Sequence, residues 1–310
     1  MTRRKSVSPF RTWAELTRIS NAPTVLTNVL VGVSVVSYWR TDLPQWGGDG
    51  VLCDLTGHQW IITALLVLSL LLIYSAGMVL NDWADREYDR SHARRRPIPS
   101  GRVGPQTALL GAIVLLLAGA GPMLLFGPAA LLATAALIAL VIAYDLLHRS
   151  HPWTAMLMGA CRALVYATAA VAVSAVEPRA WWPAIIALLY TSVLTLIART
   201  ERGGGRRSPF LWTAWFLPLL IAVGLFFRSP SAHMPWTVIV GCVMGAWLLR
   251  SALIASGRRR HVGRAVLGWL SGFCLIDAFF LALLDQPCLS VLALGAWLVT
   301  AISHTRISGT

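Results

Sequence analysis

Charge is scarce in this chain, and acidic charge is scarcer still. Only 13% of the 310 residues are Asp, Glu, Lys or Arg, and basic residues outnumber acidic ones 26 to 13. A soluble domain carries about a quarter of its residues as charges, so this composition excludes one. With 56% hydrophobic residues and a mean hydropathy of +0.66, the chain reads as a polytopic membrane protein. No RNA- or DNA-binding motif accompanies the net charge of +13, so no nucleic-acid partner is expected. The arginines instead cluster between apolar runs, as in cytoplasmic loops facing anionic lipid head groups. The five cysteines, Cys53, Cys161, Cys242, Cys274 and Cys288, lack metal-ligand spacing. Cys53 and Cys288 fall on the outer side, where a disulfide could form. No small-residue cleavage site follows the first apolar run, which is also too long for a signal peptide.

What the chain has in abundance is apolar length. Runs cover roughly 22–39, 60–80, 105–126, 129–147, 153–175, 181–198, 209–228, 235–255, 263–284 and 288–304. Most approach the ~20 residues that span a bilayer, and all must be helical, because an open strand would leave backbone groups unpaired in lipid. The expected fold is all-α, a bundle of about nine to ten transmembrane helices in a single domain over 1–310. Arginines gather in alternate connections, which puts residues 1–18 and the loops bearing Arg94–Arg96, Arg149, Arg199 and Arg258–Arg260 in the cytoplasm, at the inner membrane.

One polar stretch stands at the inner end of the second run, Asn81-Asp82-Trp83-Ala84-Asp85-Arg86-Glu87-Tyr88-Asp89. At about 100° per residue, Asn81, Asp82, Asp85 and Asp89 fall within one arc of a helix and Glu87 falls outside it. Crowded carboxylates call for a cation, and hard oxygen donors select Mg²⁺, which keeps positions for phosphate oxygens. Solvated charges paired with Arg86 and Arg90 are the plainer alternative.

Other candidates share that side. Glu201 offers a further carboxylate, and Arg199 and Arg202 offer forks that match phosphate, beside three glycines at 203–205. Tyr144, Asp145, His148 and Arg149 form a third group, with Asp145 expected to pair with Arg149 or Arg162. Arg162 lies several residues inside an apolar run, where an arginine is costly and faces a partner or a polar cavity. Arg18 and Asn21 lead into the first run. Asp277 is an isolated intramembrane acid with no partner legible. The proline-broken run from Arg94 to Arg102, which includes Arg96, could fold over a diphosphate as a basic lid. Together these fit an allylic diphosphate. Metal and arginines would stabilise the departing pyrophosphate, and an apolar tunnel would hold the isoprenoid tail, with Tyr166 and Trp153 as aromatic candidates near the cation.

The Asn81-Asp82-x-x-Asp85-x-x-x-Asp89 motif, the Arg96 to Arg102 run and Arg18-x-x-Asn21-x-Pro23 resemble the UbiA superfamily of intramembrane prenyltransferases. The resemblance implies a ring of about nine helices around a central cavity, and Mg²⁺-dependent prenyl transfer to an aromatic or lipid acceptor. It departs at the second motif, where Glu201 stands among arginines in place of two aspartates. It departs again where His148 or Arg149 replaces a lysine. Ala198 to Gly205 looks most similar to the EboC-type branch. On this reading Asp82, Asp85, Asp89 and Glu201 serve metal and catalysis. Asn81, Arg18, Asn21, Arg96, Arg149, Arg162, Arg199, Arg202, Tyr144 and His148 serve the diphosphate. A terpene cyclase on the same scaffold and a transporter or lipid-binding subunit are the alternatives. The gathering of charge at one surface argues against transport.

Overall fold

The computed structural model describes residues 8–39, 57–149, 151–173, 181–202, 212–228, 233–256 and 261–306. Among the described residues every regular element is helical. The reason is the one that holds in any bilayer: a helix satisfies its own backbone without water. Ten long helices match the ten apolar runs: α2 (Ala22–Trp39), α3 (Gly57–Ala84), α5 (Pro105–Ala120), α6 (Gly127–Leu147), α7 (Thr154–Val173), α8 (Trp182–Arg202), α9 (Thr213–Arg228), α10 (Met234–Ser256), α11 (Val262–Leu283) and α12 (Pro287–Arg306). Two short helices have no apolar run to announce them, α1 (Pro9–Leu16) and α4 (Arg86–His92). Among the described residues, eight stretches are long and apolar enough to cross a membrane. One of them, Pro105–Leu147, holds both α5 and α6, and α9, at 16 residues, is not among them. The chain is a multi-pass membrane protein.

Two helices form the centre. Buried residues make up 78% of an apolar 18-residue window in α11 and 72% of Ile19–Val36, which contains most of α2, against 17% of such a window within Pro105–Leu147, whose apolar side chains face outward. α2 packs on α3, α7, α11 and α12. Small residues let helices meet closely, as they must where lipid offers no hydrophobic drive. At Gly159 on α7 an added Cβ would lie 2.4 Å from the Leu188 carbonyl oxygen of α8.

Local chemistry sets the boundaries. Ser8 caps α1 by accepting from the Arg11 N–H, with Pro9 opening the helix. Between α5 and α6 runs a 3₁₀ helix (Gly121–Phe126) that ends at Gly127, whose φ of +84° favours glycine. Cys288 is disulfide-bonded, and its expected partner Cys53 lies outside the described residues.

α1 lies against α3 and α5 as a separate layer. Leu16 joins Val79, Ile98, Val103, Ala108 and Ala112 in a small core edged by Trp13 and Trp83. Gly111 leaves room for the Trp13 ring, which a Cβ there would meet at 2.6 Å. Arg102 donates to Glu15 at 2.6 Å, tying the basic 93–104 segment to α1. That segment is a series of turns, as its prolines require.

Candidate active site

The polar motif spans a break. α3 stops at Ala84 and α4 starts at Arg86, yet the Asp85 N–H still bonds the Asn81 carbonyl and the Asp89 N–H bonds Asp85, each at 2.9 Å. The helical repeat therefore survives, and Asp82, Asp85 and Asp89 all stay buried while Glu87 is exposed and pairs with Arg90 at 2.7 Å.

Buried carboxylates need partners, and each finds a cation on a different segment. Arg96 donates to Asp89 at 2.7 Å and reaches Asp82 at 3.5 Å through the same nitrogen. Arg18 donates to Asp82 at 3.4 Å. Its backbone is left-handed, φ 46° and ψ 48°, a strained state for a non-glycine residue just ahead of a 3₁₀ turn. Asp85 accepts from Arg149 Nε at 2.7 Å and lies 3.1 Å from His148 Nε2. Arg149 also stacks over the Tyr88 ring, 3.9 Å from its centroid. Burial alone would raise Asp85, but the hydrogen bonds from His148 and Arg149 outweigh it and bring it down to about 2, so it is ionised at neutral pH. Burial would lower the Arg18 guanidinium, but Asp82 together with Tyr74 and Tyr144 outweighs it and raises it, which keeps the charge.

The four motif side chains expected on one arc do not share one partner. Asp82 and Asp89 share Arg96, Asp85 belongs to His148 and Arg149, and Asn81 turns away to donate to Asp145 at 3.2 Å. Among the described residues no three His, Cys, Asp or Glu groups form a ready metal cluster. The donor set still fits Mg²⁺ in kind: hard, buried carboxylate oxygens around an ionised Asp85. Asp145 takes Asn81 rather than Arg149 or Arg162 as its partner, and its Oδ2 is buried with none.

Behind this charged mouth lies a cavity of about 480 Å³ walled by α3, α6, α7, α8 and α11 and closed by the 3₁₀ turn after Arg18 and the end of α12. Leu70, Ile73, Leu137, Leu194, Val266 and Leu270 give it apolar walls. Arg18, Asn21, Arg96, Tyr144, Asp145 and Arg162 line it as well.

The remaining expected residues divide. Tyr144 stacks on His148, ring centroids 5.3 Å apart. Asn21 Oδ1 meets His304 Nε2 at 2.6 Å, a partner from the far end of the chain. Arg199 does not reach the cavity. Its guanidinium donates to the carbonyls of His148, His151 and Pro152 and to Thr154, clamping the α6–α7 connection. The side chains of Glu201 and Arg202 and the glycines at 203–205 lie outside the described residues. Trp153 is exposed beside that connection, and Tyr166 is buried away from the cavity. The rings that do line it are Tyr74, Tyr144 and Phe273. Tyr74 was legible, since it stands two helical turns before Asn81 on the same face. His304 had no local signal.

Asp277 acquires the partners that its sequence context withheld. It accepts from Thr27 and Asn28 of α2 and from Tyr166 of α7, the last at 2.6 Å, and all four side chains are buried. Three donors around one carboxylate explain how an acid survives at that depth.

The profile of the UbiA prenyltransferase family matches residues 46–284, well over half of the chain. The 4-hydroxybenzoate octaprenyltransferase of Alkalilimnicola ehrlichii is 28% identical over 238 residues, 69% of this chain and 80% of that one. The digeranylgeranylglyceryl phosphate synthase of Methanothrix thermoacetophila is 45% identical over 62 residues, but that match spans 20% of this chain and 23% of the relative. Among solved structures, a UbiA homologue from Archaeoglobus fulgidus bound to GPP and Mg²⁺ superposes with a TM-score of 0.56 at 15% identity, covering 88% of this chain and 99% of that one. This last likeness establishes the fold.

Proposed function

Because the chain belongs to the UbiA prenyltransferase family, we propose that it moves an isoprenyl group from an allylic diphosphate to an acceptor, using Mg²⁺, at the cytoplasmic face of the inner membrane. The observation that carries this reading is the placement of buried, arginine-paired Asp82, Asp85 and Asp89 at the charged mouth of an apolar cavity. The Archaeoglobus homologue's GPP and Mg²⁺ and the prenyl transfer named for the curated relatives are consistent with it.

Mg²⁺ held by Asp82, Asp85 and Asp89, with Glu201 as a further donor, would neutralise the diphosphate and the charge that grows on it. Arg18 and Arg96 touch both the carboxylates and the cavity, so their forks are positioned to bind phosphate oxygens. Arg149 and His148 hold Asp85 ionised and oriented. The C–O bond to the diphosphate breaks, pyrophosphate takes the electron pair, and the allylic cation that remains is stabilised by the rings of Tyr74 and Tyr144. The acceptor nucleophile then bonds to that carbon and loses a proton. The apolar walls shield the cation from water.

Purified protein in lipid should consume geranyl diphosphate when Mg²⁺ is present and release pyrophosphate. EDTA should stop it, and Asp85→Ala should lower the rate at least about a hundredfold. Wild-type protein that neither binds nor consumes any prenyl diphosphate would overturn the reading.

A further inference from the structure

Arg199 works on backbone rather than on a phosphate. It stands in the last turn of α8, where its neighbour Ala198 lines the cavity and Arg199 does not. Nη1 donates to the His151 and Pro152 carbonyls at 2.9 and 3.2 Å, and Nη2 donates to the His148 carbonyl at 2.8 Å and the Thr154 hydroxyl at 2.6 Å. None of these acceptors is a carboxylate. All belong to the passage from α6, which ends at Leu147, to α7, which starts at Thr154. Carbonyls at a helix end lack helical donors and carry negative partial charge, so a planar cation with several N–H groups suits them.

The same connection delivers both side-chain partners of Asp85. His148 places Nε2 3.1 Å from Asp85 Oδ1, and Arg149 Nε donates to that oxygen at 2.7 Å. His148 thus faces two ways: its carbonyl is held by Arg199 and its ring meets the aspartate, so two contacts separate Arg199 from Asp85. Asp85 stands at the N-cap of α4, but its side chain makes no capping hydrogen bond, so its own helix does not orient the carboxylate. Asp82 and Asp89 differ. They meet Arg18 and Arg96, which stand outside this connection. A shift of about 1 Å in the connection would therefore misplace Asp85, by an amount that matters to a reacting site, and spare the other two.

We propose that Arg199 is a positioning residue for Asp85: it pins the α6–α7 connection so that His148 and Arg149 hold the Asp85 carboxylate in one orientation. Arg199 itself touches neither the diphosphate nor a metal. The inference rests on the prenyltransferase reading above for what Asp85 does, which is to hold Mg²⁺ against the diphosphate. A clamp that serves stability alone would leave Asp85 and Asp89 equally affected by its loss. A positioning clamp acts through Asp85.

The test uses the full chain in detergent and two cycles of variants. In ligand-free protein, Asp85→Asn and Asp89→Asn are each made in wild type and in Arg199→Gln, and thermal unfolding is followed. The drop in Tm caused by Asp85→Asn should shrink by about half or more in the Arg199→Gln background, while the drop caused by Asp89→Asn stays the same. Calorimetry then titrates Mg²⁺ into protein saturated with geranyl S-thiolodiphosphate. Arg199→Gln should weaken Mg²⁺ binding about tenfold in wild type and less than about twofold in Arg149→Gln, where the contact is already lost. Arg199→Lys, which keeps the charge with fewer donors, should recover part of the loss. If Arg199→Gln fails to fold, Arg199→Lys carries the same cycles with smaller shifts. Equal Tm drops for Asp85→Asn in both backgrounds, unchanged Mg²⁺ affinity in Arg199→Gln, or the same weakening with and without Arg149 overturns the proposal and leaves a cap for helix ends. The expected Tm cycle in a protein whose wild type binds neither Mg²⁺ nor the analogue supports the clamp and sinks the prenyltransferase reading instead.

Discussion

Asp85 and Asp277 show what a single carboxylate needs in order to live inside this protein. Asp85 has the Arg149 guanidinium and the His148 imidazole beside it, and Asp277 has three uncharged donors. The consequences differ. Because the folded value of Asp85 is brought down to about 2, its contribution to stability is present above the ordinary carboxylate value and is lost as pH falls through 2. The stability gap between wild type and Asp85→Asn, measured by thermal unfolding in detergent, should therefore be full at pH 6 and narrow toward pH 2. For Asp277, removing the acceptor strands the donors of Thr27, Asn28 and Tyr166. Asp277→Ala should destabilise the protein by about 3 kcal/mol, whereas Tyr166→Phe, which removes one donor, should cost about 1 kcal/mol. Equal effects from the two would show that the network is not shared as described. The sequence marked both acids as unusual, one by periodicity and one by isolation. It could not name their partners, because Thr27 and Asn28 stand about 250 residues from Asp277.

Helix contacts carry the next set of expectations. Gly159 on α7 has the Leu188 carbonyl and the Ser192 hydroxyl where a side chain would go, while Gly295 on α12 has nothing within 4 Å. Gly159→Ala should lower stability by about 1–3 kcal/mol. Gly295→Ala should leave it unchanged or raise it slightly through helix propensity. The same unfolding assay checks both. α1 tests whether a layer outside the bundle serves the site. Gly111→Leu would push Trp13 out, and with it the helix that delivers strained Arg18 to Asp82. The KM for geranyl diphosphate should rise about tenfold with the fold intact, as expected when a positioning group is displaced. Helix existence was legible wherever an apolar run approached the length that spans a bilayer. α1 and α4 were not, because a short helix is stabilised by what it packs on. Arg199 failed for the same reason: its residue type suggested phosphate, and the neighbouring α6–α7 carbonyls claimed it.

At the scale of the molecule, orientation is the property with the simplest experiment. Glu87 is exposed beside the site and belongs to an arginine-rich connection. A cysteine placed there by Glu87→Cys, with Cys161, Cys242 and Cys274 replaced, should react with an impermeant maleimide in inverted vesicles and stay unlabelled in right-side-out ones. The reverse pattern would turn the site outward. The chain by itself determined that it crosses a membrane many times, that its strongest acidic motif stands at one end of a helix, and that a buried arginine interrupts α7. These follow from composition and spacing because the bilayer acts on each segment separately, as a solvent does. Only the tertiary structure decided which charge meets which. Arg18 reaches Asp82 across 64 residues and His304 reaches Asn21 across 283. Pairing at such distances depends on the order in which helices pack, and that order is a property of all their surfaces at once.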